Sequence, residues 1–217
     1  MHNGTLFIVA TPIGNLQDIT LRAISTLRSV DYIACEDTRK TGVLLKSLQV
    51  EHKPMLISYY EQNEQGRIPN ILNLLKNGES VALVSDSGTP LISDPGFRLV
   101  RASLEEGINV VSIPGPSAGI SALVSSGLPT DKFIFLGFLP KKEGNRLRLL
   151  RDVKEGNKDL EATAIIYEAP HRLIKALSSI HSVFGNIEIV IMRELTKIHE
   201  ERRKGKVEDL TTLFESP

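Results

Sequence analysis

The chain has 217 residues, 41% hydrophobic and 24% charged, enough for one large α/β domain or two small ones with real cores. Its 26 basic and 26 acidic residues cancel, which argues against a protein that coats nucleic acid without specificity, and no apolar run approaches the roughly 20 residues a membrane helix needs. The single cysteine, Cys35, rules out internal disulfides and a cysteine-rich zinc site, and MHNGTLFIVATP lacks the charged and apolar regions of a secretion signal, so a reducing cytoplasm is expected.

Taken in order, the apolar runs alternate between strand and helix. Residues 6–10 (LFIVA) form a buried strand, and residues 21–30 a helix with Thr20 as N-cap. A strand at 32–35, a helix at 38–48 and a strand at 55–59 follow. Residues 64–76 read as a helix interrupted early by Pro69. After a strand at 81–84, Asp94 opens a helix over 95–106 with Pro95 in its first turn. Then come a strand at 110–113, a helix of small residues at 117–125, a strand at 133–138 and a basic helix at 144–154. A strand at 164–167, a helix at 171–183 and a strand at 187–192 complete the pattern. Such alternation implies α/β architecture with mainly parallel sheets and right-handed crossovers. The PGP linker or the stretch GLPTDK is the place to divide the chain, giving domains 1–116 and 117–217 with net charges of −2 and +2.

Five phrases rich in Gly, Pro and acidic residues stand at the ends of these strands: TPIGN, EDTR, SDSGTPLISDPG, PGPSA and YEAPHR. Ligands of open α/β sheets bind at the carboxyl ends of strands, so the phrases should rim a small-molecule cleft. Pro12 fixes a turn, and Gly14 and Gly88 permit left-handed backbone or close approach by a ligand. Equally, TPIGN reads as a tight turn, Asp94 and Ser117 as helix caps, and Cys35 as a core thiol. No phosphate-binding GxxxxGK[ST] is present, no GxGxxG follows the first strand, Ser85 and Ser87 lack a GxSxG elbow, and the five histidines are scattered without HExxH, so no transition-metal site is expected. Residues 141–154 carry six basic against two acidic side chains and residues 193–206 six against three. These patches suit phosphate backbone, or a solvated helix face.

The ordered series TPIGNLQDITLRA, CEDTRKTGVLL, SDSGTPLISDPGFRLV, PGPSA, FLGFLP, YEAPHR and RELTKIHEE, spanning nearly the whole chain, resembles the tetrapyrrole methylase superfamily. Within it the series resembles the branch of ribosomal RNA small subunit methyltransferase I. The resemblance implies two α/β domains of the tetrapyrrole methylase type with a cofactor cleft between them, and a homodimer. It implies S-adenosyl-L-methionine as cofactor, and 16S rRNA or the small ribosomal subunit as partner. The expected reaction is 2′-O-methylation of the ribose of a decoding-centre cytidine; a small-molecule methylase on the same fold is the rival. The resemblance places the cofactor against Pro12, Gly14, Gly88, Thr89, Pro90, Ile92, Ser117, Ala118, Leu136 and Tyr167. Thr89 stands where the wider superfamily has Asp. It also implies a further strand and a C-terminal extension beyond Pro217.

Attack by a ribose hydroxyl on a methyl group gains from alignment, and a base adds roughly 10²–10⁴-fold. Asp37, Glu168 and His171 are the candidate bases, with Lys197 a further one if its pKa is lowered. Asp37 also reads as an N-cap or an ion pair with Arg39. Arg39, Lys40, Arg172 and Lys197 suit phosphate contacts, as do Lys141, Lys142, Arg146 and Arg148 of the basic helix.

Overall fold

In the computed structural model, which describes residues 3–52 and 54–215, the first five apolar runs pair side by side into one parallel sheet. Its strands are β1 (Thr5–Val9), β2 (Tyr32–Cys35), β3 (Met55–Ser58), β4 (Val81–Val84) and β5 (Asn109–Ile113), in the order β3-β2-β4-β1-β5. Four helices connect them: α1 (Leu21–Ser29), α2 (Thr38–Ser47), α3 (Glu64–Lys76) and α4 (Phe97–Glu105). Side chains alternate across a strand, so each strand feeds two cores. Val9, Ala82 and Val84 pack with Ala23, Leu27 and Ile33 on one face. Leu6, Ile8, Val81 and Leu83 pack with Ile71, Leu75 and Leu99 on the other. Every residue of β4 is buried.

The chain divides into two compact units between Ser117 and Ala118. The second unit contains α5 (Ala118–Ser126), β6 (Phe133–Phe138), α6 (Glu143–Gly156), β7 (Thr163–Tyr167), α7 (Leu173–Phe184), β8 (Glu188–Arg193), β9 (Glu201–Lys206) and α8 (Val207–Glu215). Strands β6 and β7 pair in parallel; β8 and β9 pair antiparallel. Leu139, Leu150, Ala176 and Val183 form the core under α6 and α7.

Local chemistry explains where sequence expectation and structure agree and part. Thr20 caps α1, its Oγ1 accepting the Ala23 N–H at 3.0 Å. Helix α3 runs unbroken through Pro69; the proline sits near the N-terminal end, where its missing donor removes one bond and the packed face keeps the helix intact. Asp94 does not cap α4. The N-cap is Gly96, at φ 132°, and Pro95 lies before the helix. Strand β9 escapes the pattern reading because ERRKGK holds no apolar residue and so shows no period-2 signal, and helix α8 is absent from that reading although Val207, Leu210, Leu213 and Phe214 recur at helical spacing. Among the described residues no helix is long and apolar enough to cross a membrane.

Candidate functional site

In the first unit the carboxyl ends of β1, β4 and β5 carry the phrases TPIGN, SDSGTPLISDPG and PGPSA. Hydrogen bonds tie these loops together. The Thr11 N–H donates to Gly88 O at 2.9 Å and the Gly88 N–H returns to Thr11 O at 3.0 Å. The Thr11 hydroxyl, buried, donates to Ser85 O at 3.2 Å. The Thr89 hydroxyl donates to Pro116 O at 2.9 Å, closing the third loop onto the second. Gly88 has φ 82°, and a Cβ there would lie 3.4 Å from Ile13 Cγ2 and 3.9 Å from Pro116 O. There is room for a methyl group, so the glycine serves backbone conformation. Leu91 at φ 73° and Ser93 at φ 66° are also left-handed in this loop. Non-glycine residues hold that conformation only where surrounding contacts enforce it, and such strain clusters at ligand sites. Pro12, Gly14, Gly88, Thr89, Pro90, Ile92 and Ser117 thus all lie on one set of cross-linked loops.

Beside them, at the ends of β2 and β4, stands a group of charges. Asp37 is the N-cap of α2, its Oδ1 accepting the Arg39 N–H at 2.9 Å. The Arg39 guanidinium grips the same carboxylate through Nε at 3.0 Å and Nη2 at 2.7 Å. That grip holds the Asp37 carboxyl far below the usual range, which makes it a weak base. Lys40 Nζ is 2.6 Å from Asp86 Oδ2. The Asp86 N–H donates to Glu36 Oε1 at 3.2 Å. Burial pushes the carboxyls of Glu36 and Asp94 up, and the neighbouring acidic charges add to the effect. Glu36 carries no role in the sequence reading; its one signal is that it directly follows a fully apolar strand end. Cys35 is buried and its thiol is raised by burial, as a core residue's would be.

The second unit holds the remaining residues. Leu136 is the extra residue where the β6–β7 register shifts between Phe135 and Gly137. Tyr167 ends β7, and its phenol oxygen accepts the Gly119 N–H at 2.8 Å, next to Ala118 at the start of α5. Glu168 follows, its Oε1 accepting the Ala169 N–H at 2.9 Å and lying 3.2 Å from Arg172 Nε. Arg172 also donates to Leu139 O at 2.5 Å. It is spent inside the unit and is not a free phosphate contact. His171 is exposed in a 3-10 turn, Pro170–Arg172. Lys197 is 3.0 Å from Glu194 Oε1 in the β8–β9 connection.

Arg146 corrects the reading of the basic helix. It is buried, donating to Ser179 Oγ at 2.8 Å and to the carbonyls of Pro140 and Lys141 at 3.3 Å each. It holds α6 to α7 and to the loop before α6. Lys141, Lys142 and Arg148 are exposed. Among the described residues no group of three or more His, Cys, Asp or Glu could hold a metal ion.

Comparison with known proteins matches residues 5–211 to the family model Tetrapyrrole (Corrin/Porphyrin) Methylases. The chain is 50% identical over 212 residues to ribosomal RNA small subunit methyltransferase I of Thermotoga maritima, covering 98% of this chain and 92% of that one. It is 49% identical over 205 residues to the protein of that name from a Hydrogenobaculum species, covering 94% and 86%. For the one from Streptococcus pyogenes serotype M3 the figures are 44% over 213 residues, covering 98% and 72%. Among solved structures, diphthine synthase superposes with a TM-score of 0.75 at 13% identity, covering 96% of this chain and 84% of that one. A cobalt precorrin-4 methyltransferase of cobalamin biosynthesis gives 0.68 at 15%, covering 98% and 89%. These structural likenesses speak to the fold.

Proposed function

The chain belongs to the tetrapyrrole methylase family, and from that premise we propose that it is an S-adenosylmethionine-dependent methyltransferase that modifies small-subunit ribosomal RNA. The finer reading is transfer of a methyl group to the ribose 2′-hydroxyl of a decoding-centre cytidine. The near full-length likeness to enzymes named for small-subunit ribosomal RNA supports the substrate class. One observation of this molecule supports the cofactor: three loops at strand carboxyl ends, cross-linked through Thr11, Gly88, Thr89 and Pro116, present small residues and backbone groups with few fixed charges. Pro12, Gly14, Gly88, Thr89, Pro90, Ile92 and Ser117 would hold the group there. Ala118, Leu136 and Tyr167 of the second unit belong to the same proposal. When bound, the cofactor supplies a methyl group on a sulfonium centre.

The chain's own residues then have modest chemical work. A ribose hydroxyl is a poor acid, and holding it in line contributes much of the rate. Of the three candidate proton acceptors, Asp37, Glu168 and His171, the role is assigned to exposed His171, because Asp37 is clamped by Arg39 and Glu168 Oε1 is bonded to Ala169 and Arg172. Asp37, clamped by Arg39, has lost most of its basicity, so alignment carries more weight than the acid–base term at that position. Exposed Lys141, Lys142 and Arg148, with ion-paired Arg39, Lys40 and Lys197 at the surface, are the proposed phosphate contacts. The homodimer is part of the proposal and is checked by light scattering.

The deciding experiment incubates the protein and S-adenosylmethionine with purified small subunits, then digests the RNA for mass spectrometry. The expected product is one cytidine carrying a ribose methyl group. Methylated base, or no RNA product with transfer to a small molecule instead, overturns the reading.

A further inference from the structure

We propose that Glu168 is a specificity-determining residue: its Oε2 accepts a hydrogen bond from the exocyclic amine of a pyrimidine base seated in an apolar recess of the second unit. The inference rests on the ribosomal RNA reading and adds a selection of cytosine over uracil. The Glu168 side chain is only 8% exposed. Its Oε1 is engaged by the Ala169 N–H and Arg172, while Oε2, equally buried, has no partner. A buried carboxylate oxygen left bare is costly, so its retention calls for a donor that arrives with a ligand.

The surroundings narrow that ligand. Glu168 borders a recess of about 320 Å³ whose wall includes Phe138, Ile165, Tyr167, Val190 and Met192. This volume lies near the low end of ligand pockets, about 300 Å³. Two hydroxyls of the wall are already paired. The Ser126 hydroxyl donates to Leu123 O and accepts the Leu128 N–H. The Thr163 hydroxyl donates to Pro129 O. Phe138 and Tyr167 stand edge to face, ring centres 5.7 Å apart, with Phe138 53% exposed. One anionic acceptor in an apolar, aromatic-flanked recess is how a base taken out of its stack is read. At the position where cytosine carries an amine, uracil carries a carbonyl oxygen. Glu168 would accept from the first and repel the second. A base beside Tyr167 also sits next to a residue proposed for the cofactor, as a methyl acceptor must.

The test measures binding of short single-stranded RNAs that differ only by C or U at one position, with the full chain and cofactor present. The parent should prefer C by about tenfold or more, equal to about 1.4 kcal/mol. Glu168→Gln keeps the shape and an acceptor for Arg172 but can also donate to a carbonyl, so the preference should fall to about threefold or less. An unchanged preference in a folded Glu168→Gln variant, or none in the parent, overturns the assignment; should the variant not fold, the parent's preference alone decides. Methylation of small subunits is measured in parallel. A parent that prefers C but methylates no RNA would sink the functional reading and leave the recess standing. A parent that methylates cytidine with no C preference in binding would do the reverse.

Discussion

The carboxylates at the rim of the first sheet behave in opposite ways because their neighbours differ. Asp37 accepts from the Arg39 guanidinium and from the backbone N–H groups of Arg39 and Lys40, whereas Glu36 and Asp94 lose water to burial and face other acids. A carboxyl raised in the folded state contributes stability that is complete below its ordinary value and is lost as pH rises through the raised one. Glu36→Gln keeps an oxygen for the Asp86 N–H and removes the buried charge. Its melting temperature should exceed the parent's at about pH 7, and the gain should shrink towards zero near pH 4. A gain that does not change with pH would show that packing, not charge, is at work. For Asp37→Asn the expectation is a single-turnover rate within about threefold of the parent, since asparagine also caps helices and the native carboxylate has little basicity. A loss of 10²-fold or more, with both binding constants intact, would restore Asp37 as a base.

At the scale of elements, the loop of residues 85–96 is where conformation and binding meet. Gly88 has room for a methyl group but a left-handed backbone, so Gly88→Ala should lose about 1–2 kcal/mol, or roughly 2–8 °C in melting temperature. Its bridge to Thr11 should distort, and cofactor affinity fall at least tenfold. Gly107, at φ 68° with nothing within 4 Å of where a Cβ would stand, carries the same backbone strain in a turn away from these loops. Gly107→Ala should therefore lose stability and leave affinity alone; equal losses of affinity would mean that Gly88 acts only through global stability. Helix α6 gives a similar contrast. Arg146→Met should lose about 1.5–3 kcal/mol, the range for hydrogen bonds to a charged group, with no change in the salt dependence of RNA binding. Alanine at Lys141, Lys142 or Arg148 should flatten that dependence by about one unit each or less.

The same elements show what could be read from the chain. The apolar runs LFIVA, YIAC and VALV stand out because a sheet covered on both faces needs unbroken hydrophobic strands. The Gly- and Pro-marked loops followed from their ends. Burial of Arg146 was illegible, since one arginine among six basic residues carries no mark of the α7 serine that receives it. Glu36 was passed over for the adjacent Asp37 for a similar reason. Which of two neighbouring carboxylates is clamped and which is desolvated depends on Arg39 and on Asp86, 50 residues downstream.

For the molecule as a whole, the two units differ in how their strands are secured. In the first, five strands share one sheet, and β4 lies between β1 and β2 with both faces covered. In the second, four strands form two separate pairs, and a two-stranded pair gains little on its own. Cavities of about 460 and 320 Å³ adjoin β7 and β8, so these strands have fewer close neighbours. The apolar residues Ile189 to Met192 of β8 are only half-buried as a result. Opening free energies should follow this difference. Native-state hydrogen exchange should find the slowest amides in β1, β2 and β4. Amides of β7, β8 and β9 should exchange at least tenfold faster, through openings about 1.4 kcal/mol or more easier than global unfolding. Ligands that occupy the second unit's recess should slow β7 and β8 more than the strands of the first unit, because they bind the closed form. If β8 and β9 exchange as slowly as β4, the second unit is as cooperative as the first. The cavities beside its strands would then have no energetic weight.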